Sequence, residues 1–183
     1  MADIANRAGM TSAAFYYHFA SKEDLLEELV QTFAQTWVET VTSRLREVSD
    51  LTQLGDFVEA AIDWTESNQP AAVVFFTSAA GATAGVDRCR ADTRNQLVQA
   101  LTDTVGRIAP STIPATVETS AVALFVLVYS AVRSRLTIDE VFRTLGHSRF
   151  RREVRRLALS IVGPQPRETV PLTSPVCEDL PRL

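Results

Sequence analysis

The sequence predicts an all-α protein: a short N-terminal helix-turn-helix followed by a larger helical bundle. Three observations lead there. Apolar residues recur every three or four positions over most of the 183 residues. Alternation of the β type is absent. Gly and Pro fall mainly where the helical spacing breaks, as punctuation should.

Each element has its own reason. Residues 2–9, ADIANRAG, read as a short helix with Ile4, Ala5 and Ala8 on its buried side. Gly9 stands where a helix-ending residue takes a left-handed backbone, which only Gly adopts without strain. Thr11 is a competent N-cap for a second helix. On a wheel of about 100° per residue, Phe15 and Phe19 fall on one side, where Ile4 and Leu25 complete a small core. Ala13 and Tyr17 fall on the opposite side, flanked by Ala14 and Tyr16. Ser21 caps a third, long helix; Glu23 and Asp24 suit the positive end of its dipole. Leu25, Leu29, Phe33, Trp37, Val41, Leu45 and Val48 draw one apolar stripe along it.

Further helices are predicted over 51–67, 70–80, 86–108, 114–136, 138–145 and 148–162. Pro70 and Pro114 suit a first helical turn, where a missing N–H costs nothing. The run AVALFVLVYSAV, residues 121–132, is too short to span a bilayer and reads as a core helix buried on most sides. Beyond Gly163 the chain is rich in proline and loses its periodicity. The expected organisation is a helix-turn-helix over 1–30, a helical domain over 31–163 and a disordered tail over 164–183.

Composition narrows the function. Charged residues make up 22% and the net charge is −4, so no global polycation is present; a local positive face is still compatible with that balance. Cys89 and Cys177 have no pairing pattern, and the N-terminus has no basic segment leading into an apolar core, which together suggest a reduced, cytoplasmic protein. No GxSxG, HExxH or Gly-rich phosphate loop occurs, so no feature supports an enzyme. His18, His147 and the two cysteines are too scattered in sequence to suggest a metal site, and no cofactor is expected.

The densest chemistry lies in MTSAAFYYHFASKEDLL, residues 10–26, which contains the only lysine, Lys22. Small residues such as Ala13 and Ala14 let a helix sit deep in a DNA major groove, where alanine methyls touch thymine methyls. Backbone N–H groups at Thr11 and Ser12 suit phosphate or base acceptors. Tyr16, Tyr17, His18 and Lys22 can donate to phosphates on the groove walls. Singly, each has a plainer reading: partly exposed aromatics for the tyrosines, a structural hydrogen bond for His18, a solvated lysine. Their convergence in one window after a helix–Gly–turn favours contact with double-stranded DNA.

The stretch DIANRAGMTSAAFYYHFASKEDLL resembles the TetR family of bacterial transcriptional regulators. The pairs Ile4-Ala5, Ala8-Gly9, Phe15-Tyr16, His18-Phe19, Ser21-Lys22 and Leu25-Leu26 carry the resemblance, over roughly the first 30 residues. It implies a homodimer that binds palindromic operator DNA and releases it when a small molecule enters the second domain. By position, Ser12, Ala13, Ala14 and Tyr17 would read bases, Tyr16, His18 and Lys22 would hold phosphate, and Thr11 would cap. The family's DNA-binding domain, homeodomain-like in build, has a further helix ahead of the segment matching residues 2–9, absent from the sequence as it stands. Leaving about 200 Å² of apolar surface bare would cost about 5 kcal/mol, comparable with the stability of a small domain. The expectation is a start further upstream or weak DNA binding. A ligand-responsive regulator, in the repressor sense, is the leading reading. A dimeric ligand-binding or interaction module without DNA binding is the second.

In the larger domain, Phe57, Trp64, Phe75, Phe76 and Tyr129 are candidates to line a pocket for an apolar or amphipathic effector; the alternative is plain core. Asp63, Asp92, Arg94 and Gln96 are candidates to orient a ligand. The helix 148–162 has arginines at 149, 151, 152, 155 and 156 opposite an apolar stripe. That basic face reads as solvated, or as a second anion site. The family's dimer contact lies in its last two long helices, which would place Leu124, Val128, Val154, Leu157 and Ile161 near a four-helix interface.

Overall fold

The computed structural model describes residues 2–163, and the elements within them are all helical. Helix α1, Ala2–Arg7, and α2, Ser12–His18, form the N-terminal pair. Helix α3, Lys22–Glu47, starts beside that pair and runs on into the bundle. It is followed by α4, Leu51–Ser67, and α5, Gln69–Val73, which continues without a break into a π-helical turn, Val74–Ser78. Then come α6, Ala84–Ile108, and α7, Pro114–Thr137. A short α8, Glu140–Leu145, and α9, His147–Val162, complete the described chain. The expectation for 164–183, and with it Cys177, lies outside the described residues.

Caps set most of these boundaries. Thr11 accepts from the Ala14 N–H, Ser21 from Asp24, Asp50 from Gln53, Thr83 from Val86 and Asp139 from Phe142. Helix α1 ends in a Schellman turn: Met10 N–H donates to the Ala5 carbonyl, Gly9 N–H to Asn6, and Gly9 sits at φ +68°. The same turn closes α7, with Asp139 N–H on Ser134 and Ile138 N–H on Arg135. There the left-handed position is held by Ile138, at φ 50°.

The bundle packs most closely where α3 meets α6, α6 meets α7 and α4 meets α9. On α3 the buried residues are Val30, Phe33, Ala34, Trp37, Val41 and Leu45. Leu29 departs from the expected stripe and is 51% exposed. Residues at four-residue spacing advance about 400° per step, so Leu29 and Leu45 end about 160° apart and cannot share a face. The carbonyls at the end of α3 are met from α6: Arg107 donates to Leu45 (2.7 Å) and Val48 (3.0 Å), and the Thr104 hydroxyl to Leu45 (3.2 Å).

Three predictions change. Of α1's expected buried side only Ala5 is buried; Ile4 and Ala8 are exposed, because a six-residue helix presents little more than one residue to the crossing with α2. Phe15 is buried, but Phe19 is only half-buried. Helix α7 is buried on one side rather than most. Ala121, Leu124 and Val132 have no exposure, while Val122 and Val126 point outward at 48% and 54%. By length and composition alone this 24-residue helix could cross a membrane, although the apolar run inside it is shorter; its inner side is taken up by the bundle core.

Candidate nucleic-acid interface and ligand cavity

The N-terminal pair presents a surface of defined chemistry. Phe15 is 2% exposed and packs against Phe19 with ring centroids 5.3 Å apart. This apolar anchor sets the roll of α2. The roll turns Ser12, Ala13, Ala14, Tyr16, Tyr17 and His18 to solvent together, with Thr11 before them and Lys22 after. Tyr17 is 86% exposed and Tyr16 54%. The Tyr17 and His18 rings meet edge to face at 5.3 Å, which holds two hydrogen-bonding rings side by side at the C-terminal end. Small residues thus lead and polar rings follow along a helix about two turns long that is exposed except at Phe15. All eight predicted contact residues are exposed.

The larger domain holds a cavity of about 360 Å³ between α3, the π-helical turn, α6 and α7. Phe75, Phe76 and Tyr129 line it, as the sequence suggests. Phe57 lines an adjoining apolar void of about 30 Å³ instead. Trp64 lies one layer back, its ring tilted against Trp37 at 5.0 Å and against Phe33 at 5.7 Å. Trp37, Leu97 and Phe125 complete the apolar wall. Among the polar candidates only Arg94 reaches this cavity. Asp63 pairs with Arg151 at 3.1 Å, while Asp92 and Gln96 line a separate groove between α3 and α6. Partial burial beside that groove pushes the Cys89 thiol above its ordinary range.

Sequence reading missed Arg90. Its guanidinium reaches into the cavity, donating to the Phe75 carbonyl and to the Tyr129 hydroxyl (2.6 Å), and lies 5.5 Å from the Phe75 ring centroid. The Tyr129 contact spans 39 positions, so no local pattern announces it.

The expected dimer residues separate. Leu124 and Val154 are fully committed to the protomer's own core, at 0% and 5% exposure, and have no surface to offer a partner. Val128 lines the small apolar void and packs on that same core. Leu157 is exposed and Ile161 half-buried. The arginines of α9 are largely used up inside the chain. Arg151 pairs with Glu59 (2.8 Å) and Asp63, Arg155 with Asp56, and Arg156 with Glu153 (2.9 Å). Arg149 and Arg152 are exposed and stand outside these pairs. Asp63, Glu66 and His147 hold ligand-type atoms within 4.8 Å of one another. Arg135 and Arg151 already neutralise the two carboxylates, so the cluster is explained as an ion-pair seam.

Residues 1–29 match the model of a family described as bacterial regulatory proteins, tetR family. No curated protein and no solved structure matches the chain.

Proposed function

From the premise that residues 1–29 match the TetR-family model, we propose that this protein is a cytoplasmic, ligand-responsive repressor that binds a palindromic operator as a homodimer. The observation that carries the reading is the sidedness of α2. Phe15 is anchored inward while Ser12, Ala13, Ala14 and Tyr17 face out as base-reading residues and Tyr16, His18 and Lys22 as phosphate contacts. For the dimer, the exposed Val122 and Val126 of α7 and Leu157 of α9 supply an apolar face on two packed helices, replacing Leu124 and Val154 in that role.

Ligand response has a physical route. The cavity is lined by the middle of α6, and the first turn of α6 grips α3. The Thr83 hydroxyl donates to Glu27 at 2.5 Å, and a Cβ at Gly85 would run into that carboxylate. Glu27 is five positions beyond Lys22 on the same helix. An occupant that moves α6 therefore presses on the helix that carries the DNA-facing pair.

The test is DNA binding to the segment upstream of the protein's own gene, measured by fluorescence anisotropy across a salt series. Affinity should fall steeply with salt. Lys22→Ala should weaken all DNA alike and flatten the salt slope by about 1. Tyr17→Ala should instead reduce the preference for operator over random DNA, by about 1–3 kcal/mol. Salt-insensitive binding overturns the regulator reading. Dimerisation and ligand binding without any DNA binding would favour the module reading.

A further inference from the structure

We infer that the cavity takes an aromatic or bulky apolar anion, a carboxylate in its simplest form, with the acid group held by Arg90. This rests on the cavity being a ligand site, as proposed above, and adds the chemical class.

The cavity is asymmetric. Towards α4 and the end of α7 it adjoins the small void walled by Val41, Phe57, Leu101 and Val132, an apolar end whose polar side-chain groups are the Tyr129 hydroxyl and the Trp37 indole N–H. Towards α6 it is lined by Asp87, Arg90, Thr93 and Arg94. A ligand filling it is therefore apolar at one end and polar at the other.

The sign of the polar end follows from how these charges are partnered. Asp87 accepts from the Gly81 N–H at 3.0 Å, which ties its carboxylate to the turn before α6. Arg90 has no carboxylate within ion-pair distance among the described residues; its two partners are the neutral Phe75 carbonyl and Tyr129 hydroxyl. A guanidinium carries five N–H donors in a planar fork, so donors remain after those two contacts. Arg94, one helical turn along, meets only the Asn95 side-chain amide oxygen at 3.3 Å. Two arginines against one carboxylate, none of them in an ion pair, leave the polar mouth of an aromatic cavity net positive, which fits a carboxylate. The fork binds it in two parallel hydrogen bonds, and the aromatic walls take the apolar body. The contacts to Phe75 and Tyr129 hold the fork in place beforehand, which lowers the ordering cost of binding.

Calorimetry on the full chain without DNA tests this with three matched probes: naphthylacetate, naphthylacetamide and naphthylethylamine. The acid should bind about tenfold or more tightly than the amide, the difference expected when a hydrogen bond gains a charge, and the amine should bind weakest. In Arg90→Gln, checked by its melting curve, the acid should lose that advantage while amide binding stays within about twofold. Tyr129→Phe, which frees a donor of Arg90, should keep the preference for the acid even if Arg90→Gln fails to fold. Equal binding of acid and amide, a preference for the amine, or no binding of any probe by the folded protein overturns the inference. Acid-selective, Arg90-dependent binding upholds it whether or not the acid alters DNA binding; failure to alter DNA binding would count against the effector role alone.

Discussion

The N-terminal pair and the bundle solve opposite problems. Between Ala2 and Ala20 the buried residues are Ala5 and Phe15, and neither belongs to the main core. The bundle buries Leu54, Ile62, Leu124 and Val132 without any exposure and ties its outer helices with ion pairs from α9 to α4. Helix α1 makes its principal contacts with α2 alone. The pair keeps its chemistry outside and depends on one phenylalanine to orient it. The bundle keeps most of its apolar surface inside and holds a cavity between aromatic walls. A binding surface needs an anchor and little else, whereas a chamber needs a complete set of walls.

The largest expected effect sharpens this contrast directly. Phe15→Ala should cost about 3–5 kcal/mol within the N-terminal pair and abolish DNA binding. The main thermal transition should stay in place, because the bundle core does not include Phe15. Leu124→Ala should cost about 2–5 kcal/mol and lower that transition. Circular dichroism melts with hydrogen exchange on residues 2–19 distinguish the two; a shared, single transition in Phe15→Ala would show that the regions fold as one.

A smaller effect compares the two Schellman turns. A left-handed backbone costs an L-residue about 1–2 kcal/mol. Gly9→Ala has open space around the new methyl, so its cost should be that strain alone, about 1–2 kcal/mol. Ile138→Gly should do the reverse and stabilise the α7–α8 joint by about 1 kcal/mol, the glycine's extra unfolded freedom offsetting part of the relief. Denaturant midpoints read both changes. No gain from Ile138→Gly would mean that the Ile138 side chain contributes packing of similar size.

The smallest expected effect is at the cap of α8. Hydrogen bonds from Ser134 and from the Phe142 N–H hold the Asp139 carboxyl below its usual range. A group whose folded value is depressed stabilises the fold above its unfolded value, near 3.8, and loses that contribution as pH falls through the lower folded value. Asp139→Ala should therefore cost up to about 1 kcal/mol at neutral pH. The gap to wild type should narrow below about pH 4. A gap independent of pH would assign the cap to geometry rather than charge.

The sequence made the surface of the pair legible and the chamber only partly so. Thr11, Ser21 and Gly9 announce their roles because caps and left-handed turns depend on one or two neighbouring residues. The end of α4 was likewise readable, from the break before Pro70. Arg90 was not, because its meaning lies in a tyrosine on another helix. Leu124 and Val154 mislead for a related reason: an apolar residue at helical spacing says that a face is covered, not whether the cover comes from the same chain or another. The π-helical turn at Val74–Ser78 hid inside a helix predicted over 70–80, since its composition does not differ from an α-helix.

One geometric feature links the two regions. Helix α3 is continuous from Lys22 to Glu47, and Trp37, on the cavity wall, is about 22 Å along the axis from Lys22 at 1.5 Å per residue. A rigid rod magnifies small rotations: about 5° of tilt pivoting at Trp37 sweeps the far end through about 2 Å. That arc rivals the tolerance of a hydrogen bond. On the dimeric regulator reading proposed above, a change in the chamber too slight to disturb its own packing would be large enough to put two symmetric recognition helices out of step with the pitch of a duplex.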